Sequence, residues 1–173
     1  MKKQMNWFAL LTKSNFEKKV YTHIQKKQIM TFLPMMKKPS IRKDRKLILE
    51  TPLFRGYVFV KSNLAPEFQL RILKTAGAVK LLGTKSKPIA IPDEQINSLK
   101  ILASTTKDLI TGQNIKLKKG DPVIILNGPM TGTRGEFIRH KNKTHVIVRI
   151  DILGKYAGVE ILQDCIEKDI KFL

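Results

Sequence analysis

Three side chains that would stack along one helix ridge are the first place this sequence could do chemistry. Lys19, His23 and Lys26 stand at i, i+4 and i+7, a spacing that puts them on one flank of a helix. Lys13, Lys18 and Lys27 extend the ridge into a cationic strip. Such a strip suits phosphate neutralisation, because each cation laid on a polyanion releases condensed counterions and makes binding steeply salt-dependent. A second basic stretch, Lys37–Lys46, contributes Arg42, Lys43 and Arg45. It reads as a hairpin tip or mobile loop with reach toward DNA or RNA.

The charge of the whole chain points the same way. Its 173 residues carry 33 Lys+Arg against 14 Asp+Glu, a net charge of +19. Self-repulsion on that scale is commonly offset by a polyanionic partner. Residues 1–112 hold 22 of the basic and 7 of the acidic side chains, so the excess belongs mainly to the N-terminal part.

Other chemistries find little support. Cys165 is the single cysteine, which excludes an intramolecular disulfide and a cysteine-based zinc site. His140 and His145 flank an expected hairpin turn, are too few for a metal, and read as surface residues. Glu17, Glu50 and Glu67 sit in unrelated contexts, and Asp93-Glu94 is explained by a helix start. No catalytic residue, cofactor or metal is therefore expected. The motif Gly128-Pro129-x-x-Gly132-x-x-Gly135 could cradle a phosphate only with a helix behind it. An alternating strand follows instead, so the motif reads as a tight turn in a small barrel. No apolar run reaches the roughly 18 residues a membrane helix needs, and the stretch after Met1-Lys2-Lys3 is too short for a signal peptide. The expectation is a soluble, cytoplasmic protein.

These residues must be held by elements, and the periodicities supply them. Asn6–Thr12 reads as a buried strand. Ser14-x-x-Glu17 has the form of a capping box and opens a helix to about Gln28, with Phe16, Val20 and Ile24 on its core face. Ile29–Met36 is a second strand and Leu47–Thr51 a return strand. Leu53–Val60 is the most strand-like run, aromatic and β-branched. Pro66–Lys74 is a short helix, Ala78–Leu82 a strand, and Pro92 begins a third helix reaching about Ala103. The order β-α-β-β-α-β defines an α+β, ferredoxin-like sandwich. A polar stretch from Ser104 to Asn114 reads as a linker. Short strands at 122–126, 134–139, 145–150, 157–161 and 165–168 then make a small barrel.

Together these segments resemble the NusG family of transcription elongation and antitermination factors, an NGN domain followed by a KOW domain. The matching NGN residues are Trp7-Phe8-Ala9-Leu10, Phe16-Glu17-x-x-Val20, Pro52-Leu53-Phe54-Arg55-Gly56-Tyr57-Val58-Phe59-Val60, and Gly77-Ala78-Val79 ahead of Pro88-x-x-Ile91-Pro92. The KOW match runs from Lys119-Gly120-Asp121-x-Val123 through the glycine motif to Ile150-Asp151-Ile152-Leu153-Gly154 and Val159-Glu160-Ile161. The implied division is 1–106 for NGN, 107–116 for a linker and 117–173 for an SH3-like KOW barrel. The Pro-Leu-Phe ahead of the Gly-Tyr-Val-Phe-Val run and the high charge resemble specialised paralogues of the RfaH/UpxY type, which act on particular operons.

The resemblance implies a factor without catalysis that docks on the clamp helices of bacterial RNA polymerase and favours the closed, processive complex. The implied docking residues are Leu11, Phe54, Tyr57 and Phe59, with Phe8 nearby and Trp7 in the core. In one continuous strand Tyr57 and Phe59 would share a face and Phe54 and Val58 the other. All could converge only if the chain bends at Gly56. The ridge of Lys19, His23 and Lys26 matches the flank that contacts DNA in the elongation complex, where His23 could stack on an exposed base, and nascent RNA is a further partner. Ile152, Leu153 and Lys155 match the KOW loop that recruits a ribosomal protein or a termination factor, although many relatives carry phenylalanine where Leu153 stands. The expected form is a monomer. The competing reading is a KOW-type RNA-binding protein of the ribosome or its assembly.

Overall fold

The computed structural model describes residues 4–39, 48–84, 87–105, 110–113, 120–140, 143–162 and 165–169. The chain forms two compact units, Met1–Met35 with Pro52–Asp93 and Met36–Thr51 with Glu94–Leu173. Its elements open with β1 (Asn6–Thr12), α1 (Glu17–Lys26), β2 (Thr31–Phe32), β3 (Met35–Pro39) and β4 (Ile48–Pro52). Then follow β5 (Tyr57–Ser62), α2 (Pro66–Leu73), β6 (Ala78–Leu81) and α3 (Asp93–Thr105). The remainder is β7 (Ile110–Gln113), β8 (Pro122–Ile125), β9 (Arg134–His140), β10 (Lys143–Ile150), β11 (Lys155–Glu160) and β12 (Ile166–Lys168).

In the first unit the sheet order is β2-β5-β1-β6, with every pair antiparallel. This is two interleaved βαβ units, the ferredoxin-like arrangement. One face of the sheet presents Phe8, Leu10, Val58 and Val60 to Val20 and Ile24 of α1 and Ile72 of α2. All of these are buried, and each large aliphatic side chain so placed contributes about 1.5–3 kcal/mol. Pro66 sits in the first turn of α2, where its missing N–H costs nothing.

Three local expectations are corrected. The residue before α1 is Phe16, and no side chain caps the helix. Glu17 is the first helical residue rather than the fourth position of a capping box, and its carboxylate accepts the Gly56 N–H at 2.6 Å instead. Strand β5 starts at Tyr57, not Leu53, because the chain turns over Leu53–Gly56 with Gly56 at φ +83. Ile29–Met36 is not one strand: β2 and β3 are separated by Leu33 and Pro34, and Pro34 has no N–H to keep a ladder going. Its carbonyl accepts the Leu53 N–H at 2.8 Å.

In the second unit β3 and β4 form a two-stranded sheet of their own. Arg42, Lys43 and Arg45, between these strands, lie outside the described residues. The larger sheet has the order β12-β8-β9-β10-β11-β7, antiparallel throughout. It is the SH3-like part of the α+β fold, with one strand more than the periodicities predict. The extra strand, β7, falls inside the segment expected as linker and pairs with β11 through Ile110↔Gly158 to Gln113↔Lys155. Arg134 fastens α3 to this sheet: its N–H donates to Ser98 Oγ at 3.0 Å and its guanidinium reaches Glu94 at 3.3 Å and Asp169 at 2.9 Å.

The glycine motif is the expected tight turn, with Gly128 and Gly132 at φ +88 and +85. Gly135 answers a different need. A Cβ there would stand 2.3 Å from the Ile147 carbonyl oxygen, so the β9–β10 approach admits no side chain. Among the described residues no helix is long and apolar enough to cross a membrane. Gly135→Ala is expected to destabilise the second unit by about 1–3 kcal/mol through overpacking, read as a lowered urea midpoint.

Candidate functional site

The docking candidates are placed by register. Leu11 pairs with Tyr57 on one side and Lys80 on the other, and Ala9 pairs with Phe59. Directly opposed residues in an antiparallel sheet project to the same face. Trp7, Ala9, Leu11, Tyr57 and Phe59 therefore occupy the face opposite that covered by α1 and α2. Phe8 is not brought to that face: it alternates to the helix side and lies in the core cluster. Trp7 is in the core, as expected, with its ring under the Lys61 ammonium at 5.7 Å.

Phe54 joins the group through the turn. Because Gly56 bends the chain, the Phe54 ring meets Phe59 edge-on, with centroids 6.2 Å apart. Phe32 of β2, absent from the sequence-derived set, stacks on the other side of Phe59 at 6.1 Å. Its register partner is Phe59 itself, so cross-strand alternation was the signal that could have found it. Phe59 and Phe54 are 0% and 2% exposed, whereas Leu11 and Tyr57 are half-buried. The buried aromatics form a floor, and Leu11 and Tyr57 are the members of the set open to a partner.

Glu17 sets this geometry. Its side chain is buried, at the positive end of the α1 dipole, where a carboxylate is favoured. It holds the Gly56 N–H while the Gly56 carbonyl accepts from Thr12 N–H at 2.8 Å. The turn carrying Phe54 and Tyr57 is thus pinned to both α1 and β1. No pattern in the sequence marks this role, since the spacing Ser14-x-x-Glu17 points to a helix cap.

The cationic ridge lies on the outer side of α1. Lys18, Lys19, His23 and Lys26 are all exposed, as is Lys13 in the loop before the helix, and the Lys19 ammonium also lies 5.2 Å from the Phe16 ring centroid. Lys27 is used otherwise. Its ammonium donates to the Arg71 carbonyl and Thr75 Oγ1, both at 2.7 Å, and the Arg71 guanidinium donates to the Lys27 carbonyl. The two helix C-termini are capped against each other, which suits their negative ends.

In the second unit Ile152 and Leu153 belong to a 3-10 turn, Asp151–Leu153, closed by Gly154 at φ 58. Both are half-buried at a chain reversal, and burial lowers the Lys155 ammonium from its ordinary value. His145, expected at the surface, is 5% exposed: β10 is buried from His145 to Ile150 without alternation. Its Nδ1 lies 3.2 Å from the Lys143 carbonyl oxygen. The His140 side chain lies outside the described residues. Among the described residues no group of three His, Cys, Asp or Glu is placed to hold a metal ion.

An α+β sandwich followed by a small SH3-like sheet is the architecture of an NGN–KOW protein. The family model described as transcription termination factor NusG matches residues 5–100. The chain belongs to the NusG family of transcription factors. It is 25% identical to the transcription termination/antitermination protein NusG of Thermus thermophilus, over 91% of this chain and 95% of that protein. With the protein of the same name from Staphylococcus carnosus it shares 27% identity over 94% of each chain. A solved structure of Thermotoga maritima NusG has the same fold, with a TM-score of 0.54 and 22% identity over 95% of this chain and 97% of that one.

Glu17→Ala is expected to cost about 1–2 kcal/mol, because the half-buried Gly56 N–H loses its acceptor. Glu17→Gln, which keeps an oxygen in place, should recover most of that loss. Thermal unfolding of the two variants, with amide exchange at Gly56, measures it.

Proposed function

We propose that this chain is a cytoplasmic, monomeric transcription elongation and antitermination factor that docks on the clamp helices of bacterial RNA polymerase. The reading includes operon specificity, as in the specialised paralogues it resembles. The observation that carries it is the register placing Leu11 and Tyr57 side by side over Phe54, Phe59 and Phe32. A half-open apolar pair over a rigid aromatic floor fits a helical partner that buries a few anchors. Relatives matched over nearly their whole length are named as termination/antitermination proteins, which supports the same role.

The mechanism is population shift. A ligand that binds the closed elongating state more tightly than the opened, paused one moves the equilibrium by its differential affinity, tenfold for about 1.4 kcal/mol. Lys18, Lys19, His23 and Lys26 of α1, on the other side of the sheet, contact DNA of the elongation complex, with Lys13 of the preceding loop extending the contact. The turn carrying Ile152, Leu153 and Lys155 offers the KOW unit a partner surface, for which a ribosomal protein is the candidate.

Binding of the full chain to bacterial core polymerase, wild type beside Tyr57→Ala, tests the reading. Tyr57→Ala is expected to weaken binding by about 30-fold, the loss typical of a central aromatic anchor, with high salt removing only part of the wild-type affinity. Unchanged affinity would overturn docking through this face. Binding to ribosomal RNA with none to polymerase would favour the ribosomal reading.

A separate arm concerns the ridge. Replacing Lys19, His23 and Lys26 together by alanine should leave binding to nucleic-acid-free polymerase intact. On the elongation complex it should lower the salt dependence by roughly one unit of slope for each phosphate no longer neutralised.

A further inference from the structure

The docking face carries a charge that the apolar set does not include. Strand β6 pairs with β1 at Leu10↔Leu81 and Leu11↔Lys80, then slips to Thr12↔Ala78. The bulge falls at Val79 and leaves the Leu11–Lys80 pair in register. Leu81 therefore points into the helix-covered core, where it packs with Leu10. Lys80 points the other way, completing a row Lys80–Leu11–Tyr57 across three strands.

Two cations that the register places on this face are in different states. Lys61, at the Trp7 end, is paired with Asp93 at 3.1 Å and lies over the indole ring. Lys80, at the Tyr57 end, is exposed, and no ion pair or side-chain hydrogen bond engages it among the described residues. Asp93 is already engaged by Lys61. A partner seated on Leu11 and Tyr57 would strip water from one side of the Lys80 ammonium, an unfavourable step unless the partner supplies a negative charge there.

We infer that Lys80 is a specificity residue of the docking face, and that the partner's helix carries a carboxylate in register with it, beside the apolar surface that meets Leu11 and Tyr57. The inference rests on the docking reading above and gives the partner's surface its chemistry. A carboxylate is favoured over a nucleic-acid phosphate because Lys80 stands in register with the apolar Leu11 and Tyr57 rather than in a run of cations. The cations suited to tracking a polyanion lie on α1, on the opposite side of the sheet. Charges of this kind select among partners, since a wrong one leaves a desolvated cation unpaired.

The test uses the full chain and bacterial core polymerase free of nucleic acid, comparing wild type, Lys80→Met, Lys80→Glu, Lys74→Glu and Tyr57→Ala. Lys74, at the end of α2, is exposed on the helix side and controls for net charge. The expected result is a loss of roughly tenfold for Lys80→Glu and a smaller loss for Lys80→Met, with Lys74→Glu within about twofold of wild type. A carbodiimide, which joins an amine to a carboxylate with no added atoms, should link Lys80 to a polymerase Asp or Glu, and Tyr57→Ala should suppress that product. If Lys80→Glu matches Lys74→Glu while Tyr57→Ala still weakens binding, the Lys80 inference fails and docking stands. If Tyr57→Ala is also silent, the docking reading fails with it. Equal loss of duplex DNA binding by Lys80→Glu would reassign the contact to phosphate and overturn the inference.

Discussion

The structure of the first unit depends on one register, that of β1 between β5 and β6. With Leu11 opposite Tyr57 and Lys80, and Leu10 opposite Val58 and Leu81, each strand sends one set of side chains to the helices and the other to the open face. A slip of one residue would exchange the two sets. Leu10 and Val58 would leave the core for the open face, and Leu11 and Tyr57 would be driven beneath α1 and α2. The buried set on the helix side is apolar except for Thr12 and Ser62 at its ends, whereas the other face has lysines at its two ends. Burial of the first set is therefore what fixes the second. Core packing and the chemistry of the presented surface are one constraint seen from two sides.

Glu17 carries that constraint from the sheet to the turn before β5. A buried carboxylate is costly unless its oxygens are satisfied, and this one accepts a backbone N–H at a residue with positive φ. Because Gly56 is also bonded to Thr12 through its carbonyl, the turn has little freedom to move apart from β1. The consequence is an aromatic floor in which Phe54 approaches Phe59 edge-on although the two come from different backbone conformations. A residue at the first turn of a helix thus shapes a surface on the far side of the sheet.

The element order, the helix cores and the strand sequence of both units were legible because they rest on local periodicity. Val20 and Ile24 recur at helical spacing, and the two units' strands are separated by turn residues. What escaped was decided by long-range bonds. Ser14-x-x-Glu17 has the pattern of a capping box, yet the Glu17 carboxylate found a better partner 39 residues away. Leu53–Val60 is β-like throughout, yet Gly56 is required at positive φ and shortens the strand. Ile110–Gln113 sits in a polar stretch whose apolar period has lapsed, and it becomes a strand only because β11 offers an edge. His145 has the sequence context of a surface residue, close to two lysines, whereas β10 is buried on both faces. Of the proposed site, Leu11, Phe54, Tyr57 and Phe59 converge, and Phe8 belongs to the other face for the simple reason that strands alternate. Lys27 has the right charge for the ridge but caps α2 instead.

The separation of apolar and cationic surfaces onto opposite sides of one sheet has a physical consequence for how such a factor would work. Phosphate contacts, if made by α1 as proposed, would carry no sequence information and would weaken steeply with salt. The proposed contacts of Leu11 and Tyr57 would be apolar and would weaken little with salt. Joined by a rigid sheet, the second event becomes intramolecular once the first has formed, and its effective concentration replaces its bare affinity. A weak, salt-sensitive ridge is then sufficient on the complex and insufficient in free solution. Under this reading the high positive charge need not make the protein a general nucleic-acid binder. It makes the protein selective for nucleic acid already held beside the apolar partner.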